Sequence, residues 1–135
     1  MMNLKKNNYL FALIIFFGLV LSCSSKADQQ GYQNIDVNQA AELINTKPVL
    51  ILDVRTPEEY REGHIKGSVL IPVQDLENQY TKISDHIHNP VLIYCRSGNR
   101  SVTASNILVS KGFKNLYHMK GGIKDWSKHQ LPLEK

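Results

Sequence analysis

Short β-favouring runs alternate with segments of helical periodicity through most of this sequence of 135 residues. Val49–Val54 is a nearly continuous apolar run, which is typical of a parallel strand buried on both faces. The remaining pattern predicts strands over 34–37, 68–71, 91–94 and 115–119, and helices over 39–45, 57–63, 74–83, 101–111 and around 123–126. This alternation predicts an α/β fold in which helices flank a doubly wound parallel sheet, built as a single domain.

Several residues mark where the predicted helices begin and end. Asn38 is expected to be the N-cap of the first helix. Thr56 is expected to cap the second, which has Pro57 as its first residue and acidic residues in its first turn. Gly112 is expected to end the helix over 101–111, and Gly121–Gly122 to turn the chain into the last helix.

Cys95 follows the predicted strand 91–94 and begins a tight loop before a helix. Its sulfur is expected to lie beneath the N–H groups of residues 96–100 and near the positive end of the helix dipole, and both features stabilise an anion. Surroundings of this kind lower the pKa of a thiol from ~8.5 to roughly 3.5–7.5. A cysteine that ends an apolar run is also compatible with a buried structural thiol. The loop that follows favours a catalytic nucleophile.

The residues between Cys95 and the helix are candidate ligands for an anionic substrate. Arg96 and Arg100 supply two cations that are expected to steer and bind it, although Arg100 is equally compatible with holding the carbonyl groups of the loop. Gly98 lacks a Cβ and can adopt the left-handed or close-packed conformation that such a loop needs. Ser97 and Asn99 are expected to contribute mainly their backbone amides.

The N-terminal residues have the pattern of an export signal. Lys5 and Lys6 precede an apolar run of 13 residues, Tyr9–Leu21, which is shorter than the ~20 residues of a membrane-spanning helix. The run ends in Val-Leu-Ser-Cys, which resembles a bacterial lipobox with Cys23 as the lipidated residue. The sequence therefore predicts a lipoprotein-type signal peptide over 1–22, a lipidated N-terminus and tether over 23–33, and a domain over 34–135. An uncleaved membrane anchor and an ordinary signal peptide remain alternatives.

This pattern predicts a protein exported to the cell envelope and attached to a bacterial membrane through its acyl chains. Cys95 would then be the single thiol of the exported body, which excludes an intramolecular disulfide. The formal net charge is +4, and the mature body without Lys5 and Lys6 is near +2, with no basic stripe. That charge does not favour a nucleic-acid partner.

Other polar residues are interpreted as structural. Asp53 and Arg55 are expected to form an ion pair at a strand end, and His64 to cap or pack a turn. His118 is expected to pack or to face solvent, and Trp126 to lie in the core. His86 and His88, two residues apart in a polar turn, have no evident third ligand, so no metal site is predicted.

From about Ile35 to its C-terminus, the chain resembles a single-domain rhodanese. The resemblance rests on three blocks in order: Leu52–Tyr60 with Gly63–Ile65 and Gly67, then Tyr94–Ser101, then Gly112–Phe113 with Gly121–Gly122 and Trp126. It implies the rhodanese-like α/β fold and a thiosulfate sulfurtransferase without a cofactor. The expected partners are a small anionic sulfur donor such as thiosulfate and a thiol or cyanide acceptor, with the sulfur carried as a persulfide on Cys95.

The loop length bears on the choice between sulfur and phosphorus chemistry. Cys95 to Arg100 is six residues, as in rhodanese-type sulfurtransferases, whereas the related phosphatases have seven and a wider loop. Two other functions remain open beside the enzyme: a binding module without catalysis, and a sulfur carrier supplied by a partner protein. The sequence leaves the oligomeric state open.

Overall fold

The structure of the protein is a computed structural model that describes residues 30–135. Its strands are β1 (Gln33–Ile35), β2 (Leu50–Asp53), β3 (Val69–Leu70), β4 (Val91–Tyr94) and β5 (Leu116–Met119). Its helices are α1 (Val37–Thr46), α2 (Pro57–Glu62), α3 (Val73–Gln79), a 3-10 helix (Tyr80–His86), α4 (Asn99–Ser110) and α5 (Gly122–Lys128). The strands form one sheet in the order β1-β5-β4-β2-β3 with parallel pairing throughout, which confirms the predicted α/β architecture.

Two apolar cores cover the two faces of the sheet, because successive strand side chains point to opposite sides. The core against α3, the 3-10 helix and α4 contains Leu52, Ile71, Leu76, Ile83, Ile93, Ala104, Leu108 and Leu116. The core against α1 and α5 contains Ile35, Ala40, Leu43, Ile51, Leu92, Tyr94, Met119, Ile123 and Trp126. All four residues of the central strand β4 are 0% exposed, so this strand holds the segment that follows it in a fixed position.

The first two helices begin with capping boxes. Asp36, and not Asn38, caps α1: the Gln39 amide donates to Asp36 Oδ1, and the Asp36 amide donates to Gln39 Oε1, both over 2.9 Å. The predicted N-cap was wrong because the reciprocal pair three residues apart satisfies two helix-terminal groups at once. Thr56 caps α2 as predicted, and the Glu59 side chain accepts a hydrogen bond from the Thr56 amide.

Three predicted helices have different bounds in the structure. Helix α1 begins at Val37 rather than at residue 39, so the strand predicted over 34–37 ends at Ile35. The segment predicted as one helix over 74–83 consists of α3 and the 3-10 helix, and in the latter the Ser84 hydroxyl donates to the Thr81 carbonyl. Such side-chain bonds compete with the α-helical pattern. Helix α4 begins at Asn99 rather than at Ser101, because Gly98 at φ +103° directs the chain into the helix two residues earlier.

The folded part of the described chain includes two residues that the sequence assigned to the tether. Gln33 pairs with Tyr117 of β5, and the Tyr32 ring is buried in the core beside α4. The boundary of the tether is therefore at least two residues nearer the N-terminus than predicted. Among residues 30–135, no helix has the length and apolar character needed to cross a membrane.

Because the sheet is parallel, the segments that follow its strands meet at one edge. Arg55 follows β2 and Cys95 follows β4, and the Val54 amide donates to the Tyr94 carbonyl at this edge over 3.1 Å. Ligand sites of such sheets lie beyond the carboxyl ends of the strands. The fold thus places Cys95 where a ligand site is expected.

Candidate active site

The segment Cys95–Arg100, called the Cys95 loop below, connects β4 to α4 and turns around the Cys95 sulfur. The thiol is free and only 1% exposed, and the Gly98 amide donates a hydrogen bond to Sγ over 3.1 Å. Gly98 has a left-handed backbone, and a Cβ on it would lie 3.3 Å from the Gly121 amide nitrogen. A glycine is therefore needed at this position for both its conformation and the close approach of the next loop.

Hydrogen bonds to the sulfur favour its anionic form. Burial raises the pKa of Cys95, but the Ser101 hydroxyl and the backbone amides of Ser101, Gly98 and Ser97 lower it by more, so that the pKa lies below its ordinary value. The Ser101 Oγ lies 3.4 Å from Sγ. The loop therefore stabilises a thiolate with hydrogen bonds rather than with a directly paired cation.

Helix α5 holds the carbonyl groups of the Cys95 loop. The Ile123 amide donates to the Cys95 carbonyl over 2.9 Å, and the Lys124 amide donates to the Arg96 carbonyl over 3.1 Å. Gly122 is required for this contact, because a Cβ on it would overlap both carbonyl oxygens. The sequence indicated a turn at Gly121–Gly122 but not its contact with the loop, since a glycine pair carries no information about its neighbour.

Arg100 does not hold the loop carbonyls, the second role that the sequence left open for it. Its guanidinium donates from Nη1 and Nη2 to the two carboxylate oxygens of Glu59 on α2, over 2.7 and 2.8 Å. The hydrogen bond from Arg100, opposed by burial, lowers the pKa of Glu59 from 4.5 to about 2. Arg100 therefore links α4 to α2 beside the loop, and its charge is balanced by a carboxylate.

The remaining loop residues lie at the surface. Arg96, Ser97 and Asn99 are exposed, and Arg96 lines a cleft of about 670 Å³ beside the loop. Lys124 and Lys128 of α5 also line this cleft. The carboxylates of Glu59, Glu62 and Asp125 line the cleft as well, so that with Arg55 its cations exceed its carboxylates by one. Arg96 is the residue of the Cys95 loop that a small anion would meet there.

His118 of β5 lies beneath the Cys95 loop. From the sequence we expected it only to pack or to face solvent. It is buried, with Nε2 2.9 Å from Ser101 Oγ and 3.1 Å from the Gly98 carbonyl oxygen. Its Nδ1 lies 2.7 Å from Oδ1 of Asn34 on β1. The period of two along β5 places His118 on the same face as buried Leu116, and this pattern was the available signal for it.

The structural interpretations of Asp53, Arg55, His64 and Trp126 are confirmed. Arg55 and Asp53 form a buried ion pair of 2.6 Å, and Arg55 also donates to the Gly63 carbonyl over 2.8 Å. The His64 ring stacks on Tyr60 with centroids 3.8 Å apart. Trp126 is buried in the core. Among residues 30–135, no group of three potential metal-ligating side chains is present.

Comparison with known proteins places this arrangement in a family. The model of the family described as Rhodanese-like domain matches residues 36–129. The chain belongs to the rhodanese-like family. This rhodanese-like domain is 35% identical over 91 residues to a sulfurtransferase of Allochromatium vinosum, a match that covers 67% of the present chain and 83% of the relative. It is 34% identical over 98 residues to the thiosulfate sulfurtransferase GlpE of Coxiella burnetii, covering 73% and 90% of the two chains.

The fold of the rhodanese-like domain also matches solved structures. The crystal structure of a rhodanese-related protein from Thermoplasma volcanium superposes with a TM-score of 0.68 at 28% identity, covering 76% of the present chain and 98% of the other. The family and its sulfurtransferase relatives support a transferase of the rhodanese type. Cys23 and the predicted signal peptide lie outside the described residues.

Proposed function

We propose that this rhodanese-like domain is a sulfurtransferase that carries a sulfane sulfur as a persulfide on Cys95. The observation that carries the proposal is the Cys95 sulfur at the focus of the loop, where it accepts a hydrogen bond from the Gly98 amide over 3.1 Å and lies 3.4 Å from the Ser101 hydroxyl. These donors stabilise an anionic sulfur, and the same amides favour the negative charge of a persulfide. The relatives named as sulfurtransferases support this assignment.

The reaction consists of two displacements on one nucleophile. The Cys95 thiolate attacks the outer sulfur of thiosulfate, an Sγ–S bond forms, the S–S bond of the donor breaks, and sulfite leaves with the bonding electron pair. An acceptor thiolate or cyanide then attacks the outer sulfur of the persulfide, and the Cys95 thiolate is the leaving group. Ping-pong kinetics are expected from this sequence. Arg96, at the cleft, is proposed to bind the anionic donor, while Ser97, Gly98 and Asn99 shape the loop that receives it.

The loop favours sulfur transfer over the other functions that the sequence left open. Its six residues, one fewer than in the related phosphatases, close tightly around one sulfur atom. A binding module has no need of a buried thiol with a lowered pKa. A partner protein as the natural sulfur donor remains compatible with the same persulfide.

The decisive experiment is the intact mass of the protein after incubation with thiosulfate. The full chain with Cys23→Ser has Cys95 as its single thiol, since the sequence contains two cysteines. We expect this chain to gain one sulfur atom and to lose it to cyanide with release of thiocyanate. A Cys95→Ser variant is the matched control and should gain none. If folded protein with an alkylatable Cys95 gains no sulfur, the thiosulfate sulfurtransferase is wrong, and a carrier supplied by a partner protein or a binding module takes its place.

We propose further that the protein is exported and lipid-anchored through Cys23. Lys5, Lys6, the apolar run of 13 residues and the Val-Leu-Ser-Cys sequence support this proposal. Metabolic labelling with an alkyne fatty acid should mark the wild-type chain and leave a Cys23→Ser variant unlabelled. Equal labelling of both, or labelling of neither, would contradict the anchor.

A further inference from the structure

A continuous chain of hydrogen bonds leads from the Cys95 sulfur to the edge of the sheet. Ser101 Oγ lies 3.4 Å from Sγ, His118 Nε2 lies 2.9 Å from Ser101 Oγ, and Asn34 Oδ1 lies 2.7 Å from His118 Nδ1. The first three groups are buried, whereas Asn34 is exposed on the edge strand β1. A buried imidazole is therefore connected to the candidate nucleophile through a single hydroxyl.

The surroundings of the chain define where its protons lie. The Asn34 amide oxygen faces His118 Nδ1 at 2.7 Å, and the amide nitrogen lies 3.5 Å from Gln30 Oε1. The proton of neutral His118 is then on Nδ1, and Nε2 is an acceptor. The Ser101 hydroxyl has two acceptors in range, the Gly98 carbonyl oxygen at 3.1 Å and Nε2 at 2.9 Å. In the form that allows a proton to pass along the chain, it donates to Nε2 while the Cys95 thiol donates to Ser101 Oγ. Each polar hydrogen of the thiol form thus has an acceptor within the chain.

We propose that His118 is a positioning residue that accepts the Cys95 proton through the Ser101 hydroxyl. This inference rests on the proposed function of Cys95 as the nucleophile. The S–H proton moves to Ser101 Oγ while the hydroxyl proton moves to His118 Nε2, which leaves a thiolate and an imidazolium. In this form the hydroxyl donates to the thiolate and both imidazolium N–H groups retain acceptors. The two forms differ only in the positions of two protons, and the chain of hydrogen bonds is intact in both.

This transfer of the Cys95 proton through the Ser101 hydroxyl to His118, called the relay below, fits the proton balance of sulfur transfer. The proton taken from Cys95 stays on His118 while the sulfur is a persulfide, because neither half-reaction consumes it. When the acceptor removes the outer sulfur, the Cys95 thiolate returns as leaving group and recovers the proton along the same path. Burial lowers the pKa of His118, which favours this return. No external acid or base is required between the two steps.

The groups around His118 permit a transient positive charge. Asn34 Oδ1, Ser101 Oγ and the Gly98 carbonyl oxygen accept from the two ring nitrogens. Of the ionisable groups, Cys95 lies on the loop side, Tyr32 contacts the ring edge-on with centroids 6.0 Å apart, and Lys120 at the end of β5 disfavours the protonated form. Helix α4 contributes only the uncharged Ser101 to this contact. The Cys95 thiolate is therefore the anion that stabilises the imidazolium.

The test is the pH dependence of Cys95 alkylation by iodoacetamide, followed on the Cys95 peptide by mass spectrometry in the reduced full chain. His118→Gln retains a polar side chain without a titrating ring, and we expect about tenfold slower alkylation below the thiol pKa, which corresponds to a rise of about one in that pKa. Asn34→Asp at the exposed end adds a carboxylate that stabilises the imidazolium, and should accelerate alkylation in the same range. A merely structural role would not shift the two profiles in opposite directions.

Two further variants make the test specific. His129→Gln makes the same substitution on the exposed part of the chain after α5 and should leave the profile unchanged. In a Ser101→Ala background the relay is already interrupted, so His118→Gln should have no additional effect. The inference is overturned if His118→Gln alkylates like the wild type, or if Asn34→Asp and His118→Gln change the rate in the same direction. If His118→Gln does not fold, the direction of the Asn34→Asp effect decides.

The outcome for the relay is separable from that for the proposed function. Sulfur gain by the wild-type chain from thiosulfate tests the nucleophile, whereas the alkylation profiles contain no sulfur donor. Sulfur gain with unchanged profiles would overturn the relay alone. Shifted profiles without sulfur gain would overturn the sulfurtransferase alone.

Discussion

Arg100 and Glu59, which are 41 residues apart in the sequence, are joined by two hydrogen bonds of 2.7 and 2.8 Å. The pair links the first turn of α4, next to the Cys95 loop, to the first turn of α2. Arg96 has no carboxylate in salt-bridge range among residues 30–135. The two loop arginines therefore have different roles: Arg100 supports the loop, and Arg96 is available to an anion.

Stability should decrease in acid through Glu59. The pKa of this carboxyl is lowered from 4.5 in its ordinary state to about 2 in the folded protein. Its stabilising contribution is therefore complete above about pH 4.5 and is lost as the pH falls toward 2. Denaturant unfolding of Glu59→Gln should show a free energy of unfolding about 1 kcal/mol lower than the wild type at neutral pH, with the difference disappearing near pH 2.

A neighbouring glutamate offers the control for this effect. Glu58 lies on the same turn, and its partner Arg61 is mostly exposed, so Glu58→Gln should change the acid profile little. A difference between the wild type and Glu59→Gln that persists unchanged at pH 2 would show that the effect does not come from the titration of Glu59.

Substitution of Arg96 and substitution of Arg100 should have different effects on the kinetics of sulfur transfer. Removal of a charged hydrogen-bond donor from the donor site weakens binding by roughly tenfold, so Arg96→Ala should raise the KM for thiosulfate by about that factor with a smaller change in kcat. Arg100→Ala should lower both kcat and stability because it releases the loop from α2. Arg61→Ala, the same change on an exposed surface, is the control. An unchanged KM in Arg96→Ala would exclude Arg96 from donor binding.

A pair of glycines tests the contact between α5 and the Cys95 loop. Gly122 and Gly67 both have left-handed backbones, at φ +59° and +73°, but a Cβ overlaps the loop carbonyls at Gly122 and has open space at Gly67. Alanine at either site has a backbone cost of roughly 1–2 kcal/mol. Only Gly122→Ala should also abolish persulfide formation, as measured by intact mass. Equal activity of the two folded variants would show that the α5 contact is unnecessary.

The buried ion pair at the end of β2 should be sensitive to removal of one partner. Asp53 is 0% exposed, and its carboxylate accepts several hydrogen bonds from the guanidinium of Arg55. Asp53→Asn leaves a buried cation without its counter-charge, and we expect a loss of about 3–5 kcal/mol in the free energy of unfolding by urea. Asp85→Asn on the exposed surface should have little effect. A loss under 1 kcal/mol would mean that water replaces the carboxylate.

The sequence predicted the parts of the fold that depend on local pattern. The apolar run around β2 and the period of the helices were sufficient to predict the parallel sheet. The position of Cys95 between a strand and a helix was sufficient to predict that it lies at the carboxyl edge of that sheet. The prediction of Asn38 as the N-cap of α1 was wrong because Asp36 and Asn38 are both favourable capping residues, and only the reciprocal partner Gln39 distinguishes them.

The contacts that complete the candidate site were not predictable in this way. His118 is 17 residues from Ser101 and 84 from Asn34, and the Glu59–Arg100 pair spans 41 residues. Such contacts depend on the order of strands and the packing of helix ends, which hydrophobic period does not encode. The sheet order β1-β5-β4 brings Asn34 and His118 to the loop, and the sequence alone did not supply that order.

The hydrogen bonds from Ile123 and Lys124 to the loop carbonyls have a consequence during synthesis of the chain. A ribosome releases Cys95 long before the residues of α5, so the nascent loop lacks these bonds and the β5 neighbour His118. In that interval the thiol is an ordinary one, with the pKa of an unfolded peptide. The surroundings that lower the pKa of Cys95 are therefore complete only after the last helix has docked, so the C-terminal segment of the chain controls the state of a thiol that is synthesised before it.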